Sequence, residues 1–522
     1  ANHGNRCVSG LPYGMVVDLG LIEIYDGELD LTGTGHHALH TYSVTVGATP
    51  DASALARLRL TGTALNTDDP GYNRAGPALT VGSAANARAI LHVGEGAVAN
   101  GRILVGIGSG SAGAVYQTAG IVTNTSGTAN DGRIGDNGSG YYRLDGGVLA
   151  NKGHVLIGRN SGSTGIIEQR GGTLLINPGN APANGIVGDY YNGTFSCRAG
   201  VGIIHLAGGV FDTSTHTLQL GEWTGENSYS NGLAVITLEN DAQAIIHNEI
   251  RLANRNGSPE AYVNLNGGAL TASFFQKGGN NGAGNASTAA IAFNGGVLRV
   301  IDQGSSASSL VRTGDNNSPA QLNVYAGGAV IETLGLNGAT LLTQPLRAPM
   351  GLGVASVTVT SPGSGYIAPP AVTFSGGNGF GATAVAEIDP VTATLTAIRV
   401  TSPGWGYTAV PTVNLRGGGG TGAAASATLA PSASGGLTKL GPGMLSLTAN
   451  NTYTGPTVVS NGVLSLGAGS KTLSPLTPIT LAGGTLDLGG SAITNSHPLV
   501  IENGRLVNGS ISARSISKTG PG

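Results

Sequence analysis

The chain has 522 residues, of which 90 are glycine, and its formal net charge is −3. There is no Gly-X-Y period, which excludes collagen, and the many short aliphatic residues exclude a disordered linker. Because the chain is nearly neutral and has no run of lysine or arginine, we expect no nucleic-acid partner. No apolar stretch of about 18 residues predicts a transmembrane helix. Glycine interrupts almost every candidate helix, so we predict an all-β chain.

Residues 1–77 show no regular repeat, and we predict an N-terminal segment with irregular first turns. The histidines of HHALH, His36, His37 and His40, have no cysteine or carboxylate at ligand spacing, so surface or turn histidines are the better interpretation. The sequence NTDDPGYN (residues 66–73) could hold calcium through its two aspartates, and an Asp-Pro turn explains them equally well. We therefore predict no metal site and no cofactor.

Internal repeats begin beyond this segment. The sequence GRILVGIGSGSAGAVYQTAGIVTN (residues 101–124) aligns without gaps on GHVLIGRNSGSTGIIEQRGGTLLI (residues 153–176), and a looser copy lies between them. Each unit has about 25 residues, the length of a solenoid turn. A Gly-Gly signature recurs in RLDGGVL, EQRGGTL, HLAGGVF, NLNGGAL, AFNGGVL, VYAGGAV and TLAGGTL, and glycine can supply the positive φ of a corner. We predict a right-handed parallel β-helix, a β-solenoid, over residues 78–350.

A different repeat interrupts this pattern. The sequence VTVTSPGSGYIAPPAVTFSGGNGFGATAVAEI (residues 357–388) is echoed by IRVTSPGWGYTAVPTVNLRGGGGTGAAASATL (residues 398–429). Its prolines are typical of strand edges and loops. We predict a small duplicated β-domain over residues 354–430, inserted into the solenoid and projecting sideways.

Three aromatic residues of this segment, Tyr366, Trp405 and Tyr407, are candidates for binding a carbohydrate, because exposed rings stack on sugars. The alternative is that they pack inside the domain. For Tyr366 and Tyr407, which occupy the same position in the two copies, packing is the preferred interpretation.

The sequence GGLTKLGPGMLSLTANNTYTGPTVVSNGVLSL (residues 435–466) closely resembles the autotransporter-associated β-strand repeat, and its opening returns as ISKTGPG (residues 516–522). The GSGY-type segment more loosely resembles repeats of bacterial extracellular and phage structural proteins. These resemblances imply a secreted protein of a bacterial cell surface or extracellular matrix. We predict a β-helix of such repeats over residues 435–522. Since the second copy stops mid-repeat, we expect the natural polypeptide to continue past Gly522.

Catalytic chemistry is not predicted. The residues that precede the Gly-Gly pairs form no acidic ladder, and Asp136, Asp189 and Glu222 are interpreted as solvated turn residues. The two cysteines, Cys7 and Cys197, suit an exported protein. About seven turns, roughly 30 Å at 4.8 Å per turn, would separate them unless the N-terminal segment folds back, so whether they pair is open.

Three functions follow as hypotheses. The first is an extracellular structural or adhesive solenoid that self-associates head to tail into fibres, a homopolymer. The second is an adhesin that binds surface glycans through the GSGY-type domain. The third, not favoured, is a polysaccharide-degrading enzyme on a β-helix.

Overall fold

The computed structural model describes residues 6–8, 16–51, 53–66, 78–124, 132–151, 154–176, 195–197, 200–214, 217–221, 232–253, 259–277, 287–301, 308–313, 320–335, 338–467, 473 and 477–520. All regular secondary structure in these residues is β-strand, and none of them lies in a helix. The all-β prediction is therefore confirmed.

Four strands form the N-terminal part of the parallel sheet: β1 (Arg6–Val8), β2 (Val16–Ile24), β3 (Gly27–Val46) and β4 (Leu55–Asn66). The next strands form successive turns: β5 (Ala78–Val81), β6 (Arg88–Val93), β7 (Val98–Asn100), β8 (Arg102–Val105), β9 (Ala112–Gln117), β10 (Ile121–Asn124), β11 (Gly132–Ile134), β12 (Ser139–Leu144), β13 (Val148–Asn151), β14 (Val155–Ile157), β15 (Thr164–Gln169), β16 (Thr173–Ile176), β17 (Phe195–Cys197), β18 (Val201–Leu206), β19 (Val210–Asp212), β20 (Leu218–Leu220), β21 (Leu233–Leu238), β22 (Gln243–Leu252), β23 (Glu260–Leu265), β24 (Ala269–Lys277), β25 (Thr288–Phe293), β26 (Val297–Val300), β27 (Ser308–Ser309), β28 (Val311–Thr313), β29 (Gln321–Val324), β30 (Ala329–Thr333), β31 (Ala339–Leu342) and β32 (Leu346–Arg347).

Six strands then form antiparallel sheets: β33 (Leu352–Ser364), β34 (Ala371–Ser375), β35 (Phe380–Asp389), β36 (Thr394–Trp405), β37 (Thr412–Arg416) and β38 (Thr421–Pro431). The remaining strands are parallel again: β39 (Leu437–Leu440), β40 (Met444–Leu447), β41 (Thr457–Val459), β42 (Val463–Ser465), β43 (Ile479–Leu481), β44 (Thr485–Asp487), β45 (Ala492–Asn495), β46 (Leu499–Ile501), β47 (Arg505–Val507), β48 (Ser510–Ala513) and β49 (Ile516–Lys518).

Parallel pairing joins each turn of the chain to the next. The first ladder runs through β4, β6, β9, β12, β15, β18, β21, β23, β25, β29 and β32. The second runs through β7, β10, β13, β16, β19, β22, β24, β26, β30, β39, β41, β43, β46 and β49. The third runs through β5, β8, β11, β14, β17 and β20 and continues into the second halves of β22 and β24. This topology is that of a parallel β-helix and confirms the predicted solenoid.

The length of a turn varies more than the repeat suggests. In the first ladder Arg88, Ala112, Ser139 and Thr164 follow one another after 24, 27 and 25 residues. The next partner, Val201, comes 37 residues after Thr164. Pairing tolerates these insertions because they lie in the connections and not in the paired strands.

Side chains alternate between the interior and the outer face of the first ladder, as the two-residue period of a strand requires. The interior side chains of successive turns form a buried column: Leu58, Leu91, Val115, Tyr142, Ile167, Ile204, Ile236, Val263, Ile291 and Leu322. Stacking of like side chains at each step removes nearly all of their surface from water. At about 25 cal/mol per Å² of apolar surface, this burial is the main stabilising contribution of the solenoid.

Glycine corners have the expected backbone geometry. Gly147 of RLDGGVL has φ +80°, and a Cβ there would overlap the carbonyl oxygen of Gly120 on the preceding turn. Both the dihedral angle and the close approach of two turns therefore require glycine at this corner.

The antiparallel strands β33–β38 are called the GSGY module here. Strand β33 of the first sequence copy pairs with β38 of the second, β36 of the second pairs with β35 of the first, and β34 pairs with β37. The two copies are thus interlocked rather than stacked one after the other. The parallel ladder continues directly from β30 to β39, where Ala329 pairs with Leu437.

The GSGY module lies along the outer face of the first ladder, so the prediction that it projects sideways is wrong. The physical reason is an outward-facing column of largely apolar residues on that ladder, called here the outer apolar column: Ile90, Ala114, Tyr141, Ile166, Ile203, Val235, Tyr262 and Ala290. Ile367 and Ala368 of the module pack near its start, and Ala371 packs on Val201 and Ile203. Covering this column removes apolar surface from water that would otherwise be exposed.

Candidate ligand-binding cleft

A cleft separates part of the GSGY module from the outer face of the solenoid. Its larger section has a volume of about 600 Å³, and a second section of about 460 Å³ adjoins it. Both sections are lined by Tyr141, Arg170, Pro369 and Glu387, so they adjoin along these residues. From Glu28 in β3 to Glu239, the residue after β21, the two sections together cross eight successive turns, a distance of about 34 Å at about 4.8 Å per step.

Hydrogen bonds from the solenoid to the module fix the inner wall of the cleft. Arg88 donates from Nη2 to the carbonyl oxygen of Gly365 at 2.6 Å, and the Tyr116 hydroxyl donates to the carbonyl oxygen of Ile367 at 2.6 Å. At the other end, Asn266 donates to the carbonyl oxygen of Thr401 at 2.6 Å. The module is therefore held by polar contacts at both ends as well as by apolar packing.

Ionisable residues occupy the column next to the outer apolar column. This charged column runs, in register, through Arg59, His92, Tyr116, Arg143, Glu168 and His205. The His92 and Tyr116 rings stack with centroids 5.5 Å apart, and the Arg143 guanidinium lies 5.9 Å from the Tyr116 centroid. Burial lowers the pKa of His92 and raises the pKa of Tyr116 to about 12, so both side chains are neutral at pH 7.

Most arginines of the cleft have a carboxylate partner. Arg59 contacts Glu28 at 3.3 Å, and Arg143 contacts Asp145 at 2.8 Å. Arg170 contacts Glu168 at 2.5 Å. These pairs offset most of the charge of the larger section.

Arg57 and Arg88 differ from the other arginines of the cleft, because neither forms an ion pair with a described carboxylate. Arg57 is exposed at the cleft, whereas Arg88 is half buried and its Nε lies buried without a hydrogen-bond partner. Burial, together with the charge of Arg57, lowers the pKa of Arg88. A guanidinium stays protonated at any physiological pH, so two positive charges share this end of the cleft.

The smaller section contains a carboxylate, Glu239, that is held by an arginine and a histidine. Arg399 of the module donates to both oxygens of Glu239 at 2.7 Å, and His205 Nε2 lies 2.9 Å from Glu239 Oε2. Burial alone would raise the pKa of Glu239, but His205 and Arg399 hold it at about 2. Glu168 behaves similarly: burial opposes its ionisation, while the Tyr141 hydroxyl and Arg170 keep its pKa below the usual range. Neither carboxylate has the raised pKa that a glycosidase general acid needs.

The three predicted sugar-binding residues of the module are buried. Tyr366, Trp405 and Tyr407 are 5%, 8% and 4% exposed. Trp405 packs edge-on against Tyr262 of the solenoid with ring centroids 6.3 Å apart, and Tyr407 belongs to the core of the module. Tyr366 alone of the three lines the cleft. Their burial favours the packing alternative, since a stacked sugar needs an exposed ring face.

The acidic, histidine and cysteine candidates of the sequence do not contribute to the cleft or lie outside the described residues. Asp136 is 2% exposed and contacts Arg133 and Arg159 at 2.9 Å, so its interpretation as a solvated turn residue is wrong. Asp189, Glu222 and the aspartates of residues 66–73 lie outside the described residues, as do the side chains of residues 36–40 and of both cysteines. Among the side chains that are described, no three His, Cys, Asp or Glu residues are grouped to hold a metal ion.

The sequence repeats did not predict the cleft arginines, because Arg57 lies in the N-terminal segment without a regular repeat and Arg88 lies outside the aligned repeats of residues 101–124 and 153–176. A usable signal exists in strands whose two faces are both rich in apolar residues, such as GYYRL and TGIIEQ. One-sided burial predicts alternation, whereas residues buried on both faces indicate that a second layer covers the outer face.

The comparison with family models finds one match. Residues 437–466 match the passenger-associated transport repeat, which fits a β-repeat of an autotransporter passenger. No curated protein and no solved structure matches the chain. The resemblance of the GSGY module to other repeats therefore stays a prediction. In the part of the chain that the structure describes, no helix is long and apolar enough to cross a membrane.

The matched segment contains a buried lysine at a solenoid corner. Lys439 is fully buried, and its Nζ donates to the carbonyl oxygens of Leu440 at 2.6 Å, Gly441 at 2.8 Å and Asn461 at 3.2 Å. Asn461 lies on the following turn, so this side chain ties two turns together. Burial lowers its pKa to about 8, which still leaves the amine mainly protonated at pH 7.

Proposed function

We propose that the chain is an exported solenoid of a bacterial surface or extracellular matrix, with a structural and adhesive role exerted by binding surface glycans. The passenger-type repeat at residues 437–466 supports export. The long parallel sheet supports a structural role, because each turn is stabilised by its neighbours and the fold presents an extended surface.

The observation that carries the adhesive role is the cleft between the GSGY module and the solenoid. It combines partly exposed ring and proline surfaces, from His92, Tyr116 and Pro369, with fixed polar groups on both walls. Such a combination suits sugars, whose rings have apolar faces and hydroxyl edges. The glycan-binding hypothesis is retained, but its site moves from the buried module aromatics to this cleft.

A glycan array probed with the purified full chain tests the proposal. Thr118 is exposed and lines the cleft, so Thr118→Trp would obstruct it. Thr412→Trp is the matched control, because Thr412 is exposed on the module and does not line either cleft section. We expect glycan signals that Thr118→Trp abolishes and Thr412→Trp preserves. A blank array, or equal loss in both variants, would refute the proposal.

Two further predictions accompany it. Self-association into fibres is tested by electron microscopy of native, never-denatured protein, in which isolated particles at high concentration would count against it. The prediction that the chain is not an enzyme fits the ion-paired carboxylates, and is tested on a panel of acidic and neutral polysaccharides with and without calcium.

A further inference from the structure

One end of the cleft holds two arginines that form no ion pair with a described carboxylate. The larger section is lined by five arginines, and three of them contact carboxylates: Arg59 contacts Glu28, Arg143 contacts Asp145 and Arg170 contacts Glu168. The two without such a contact are Arg57 and Arg88.

These two guanidinium groups belong to adjacent strands of the first ladder. Arg57 pairs with Ile90, two residues along β6 from Arg88. Their Cα atoms are therefore about 8 Å apart, from a rise of about 3.3 Å per residue and a strand spacing of about 4.8 Å. An anionic group placed between the side chains can contact both.

The surroundings strengthen such a contact. Arg88 is anchored through Nη2 on Gly365, so its guanidinium is held in place before a ligand arrives. Its buried Nε has no hydrogen-bond partner, and Ile90, Ile367 and Pro390 lower the local polarity of the cleft. Charge-assisted hydrogen bonds are stronger in such partly desolvated sites, and preorganised donors lose little entropy on binding.

The pattern of charge selects the class of anion. A nucleic acid carries a phosphate at every step and binds broad basic surfaces, whereas here the remaining arginines are already paired. Two guanidinium groups without a described carboxylate partner, at one end of a cleft of about 34 Å that also presents His92, Tyr116 and Pro369, suit a polymer with sparse charge and sugar rings.

We propose that Arg57 and Arg88 bind a carboxylate or sulfate group of an acidic polysaccharide that lies in the cleft. This inference rests on the proposed glycan-binding function and specifies its ligand class. The polymer's rings lie against Tyr116 and Pro369, and its anionic group occupies the end of the cleft at β4 and β6.

Calorimetric titration of the full chain tests this assignment with matched ligands. The probes are a polygalacturonate oligomer, the same oligomer as its methyl ester, and a dextran sulfate oligomer, which carries sulfate and no carboxylate and so separates the two groups. Polyglutamate and single-stranded DNA of similar charge serve as other polyanions. We expect at least one acidic sugar to bind about tenfold or more tightly than its neutral counterpart, because the neutral ligand lacks a charge-assisted hydrogen bond. It should also bind about tenfold or more tightly than either non-sugar polyanion.

The variants are Arg57→Gln, Arg88→Gln and, as a control of equal charge change, Arg505→Gln on an exposed position of β47. Each cleft variant should weaken the acidic sugar about tenfold and leave the methyl ester unchanged, while Arg505→Gln should change neither. Arg57→Gln is decisive, because Arg57 is exposed and makes no contact that holds the module in place, unlike Arg88.

Equal binding of acid and methyl ester, or unchanged binding by Arg57→Gln, would overturn the assignment. If neutral glycans bind and are lost in Thr118→Trp, the proposed function stands and only the acidic ligand class fails. If no glycan binds at all, both fail. Equal binding of polyglutamate or DNA would show that the end of the cleft selects charge and not sugars, which also overturns it.

Discussion

The contact between Arg399 and Glu239 gives the sharpest prediction about how the GSGY module is held on the solenoid. Arg399→Met keeps most of the side-chain volume and removes both 2.7 Å hydrogen bonds to Glu239. Glu239 would remain largely buried, with only His205 at 2.9 Å and a long contact from Asn266 at 3.4 Å. The module should then open from the solenoid more often.

The expected loss of docking free energy depends on how far the Arg399 and Glu239 side chains are buried. Breaking a buried pair costs about 3–5 kcal/mol, whereas an exposed pair is worth about 0–1 kcal/mol. Because the Arg399 side chain is 46% exposed and the Glu239 side chain 11%, we expect an intermediate loss, about 1–3 kcal/mol of opening free energy. Amide exchange that requires opening would become about 5- to 150-fold faster.

Hydrogen–deuterium exchange of the full chain measures this effect. The informative amides are those of β36 and of the solenoid strands beneath it, β21 and β23, compared with distant strands such as β41. Arg416→Met, on an exposed module position, is the control. Exchange in β36 that is unchanged by Arg399→Met would refute the assignment of this pair as a docking contact. Uniform acceleration over the whole chain would indicate general destabilisation instead.

Low pH and substitutions of Trp405, Lys439 and Gly147 give four further tests. The pKa of Glu239 is about 2 in the folded chain, below its unfolded value of about 4.3, so its contribution to docking is present above about pH 4.5 and is lost as the pH falls toward 2. Opening of the module measured by amide exchange should show this pH dependence, and Glu239→Gln should remove it. Trp405→Ala should lower the docking free energy by about 3–5 kcal/mol through lost packing on Tyr262, seen as faster exchange in β23, and normal exchange there would contradict it. Lys439→Met should lower the free energy of unfolding in urea by about 1–3 kcal/mol because three carbonyl oxygens lose their donor, with Lys518→Met on exposed β49 as the unaffected control. Gly147→Ala should cost about 2 kcal/mol or more through its positive φ and its contact with Gly120, while an unchanged urea midpoint would argue against a tight corner.

Local patterns were sufficient to predict the solenoid. A short aliphatic strand, a Gly-Gly corner and a second strand, as in TGIIEQRGGTLLI (residues 164–176), can be recognised from neighbouring residues alone, and the corner at Gly147 has the predicted positive φ. Parallel pairing then follows because each turn buries its inner column only against the next turn.

Docking of the module was not predictable in the same way. The contact between Arg88 and Gly365 joins residues 277 positions apart, and the turns between them vary in length. The register of the outer columns, and hence the grouping of Arg57 with Arg88, depends on every one of those lengths. Trp405 and Tyr407 have the composition of a sugar-binding site, and only tertiary packing shows that their ring faces are covered.

Photo-crosslinking of the bound glycan tests most directly whether the cleft between the module and the solenoid is the adhesive site. An oligosaccharide retained on the array would carry a photoreactive group, and labelled peptides of the full chain would be identified by mass spectrometry. We expect labels within residues 55–59, 88–92 and 366–370, which contribute to the larger section of the cleft. Labels confined to surfaces outside the cleft would contradict it.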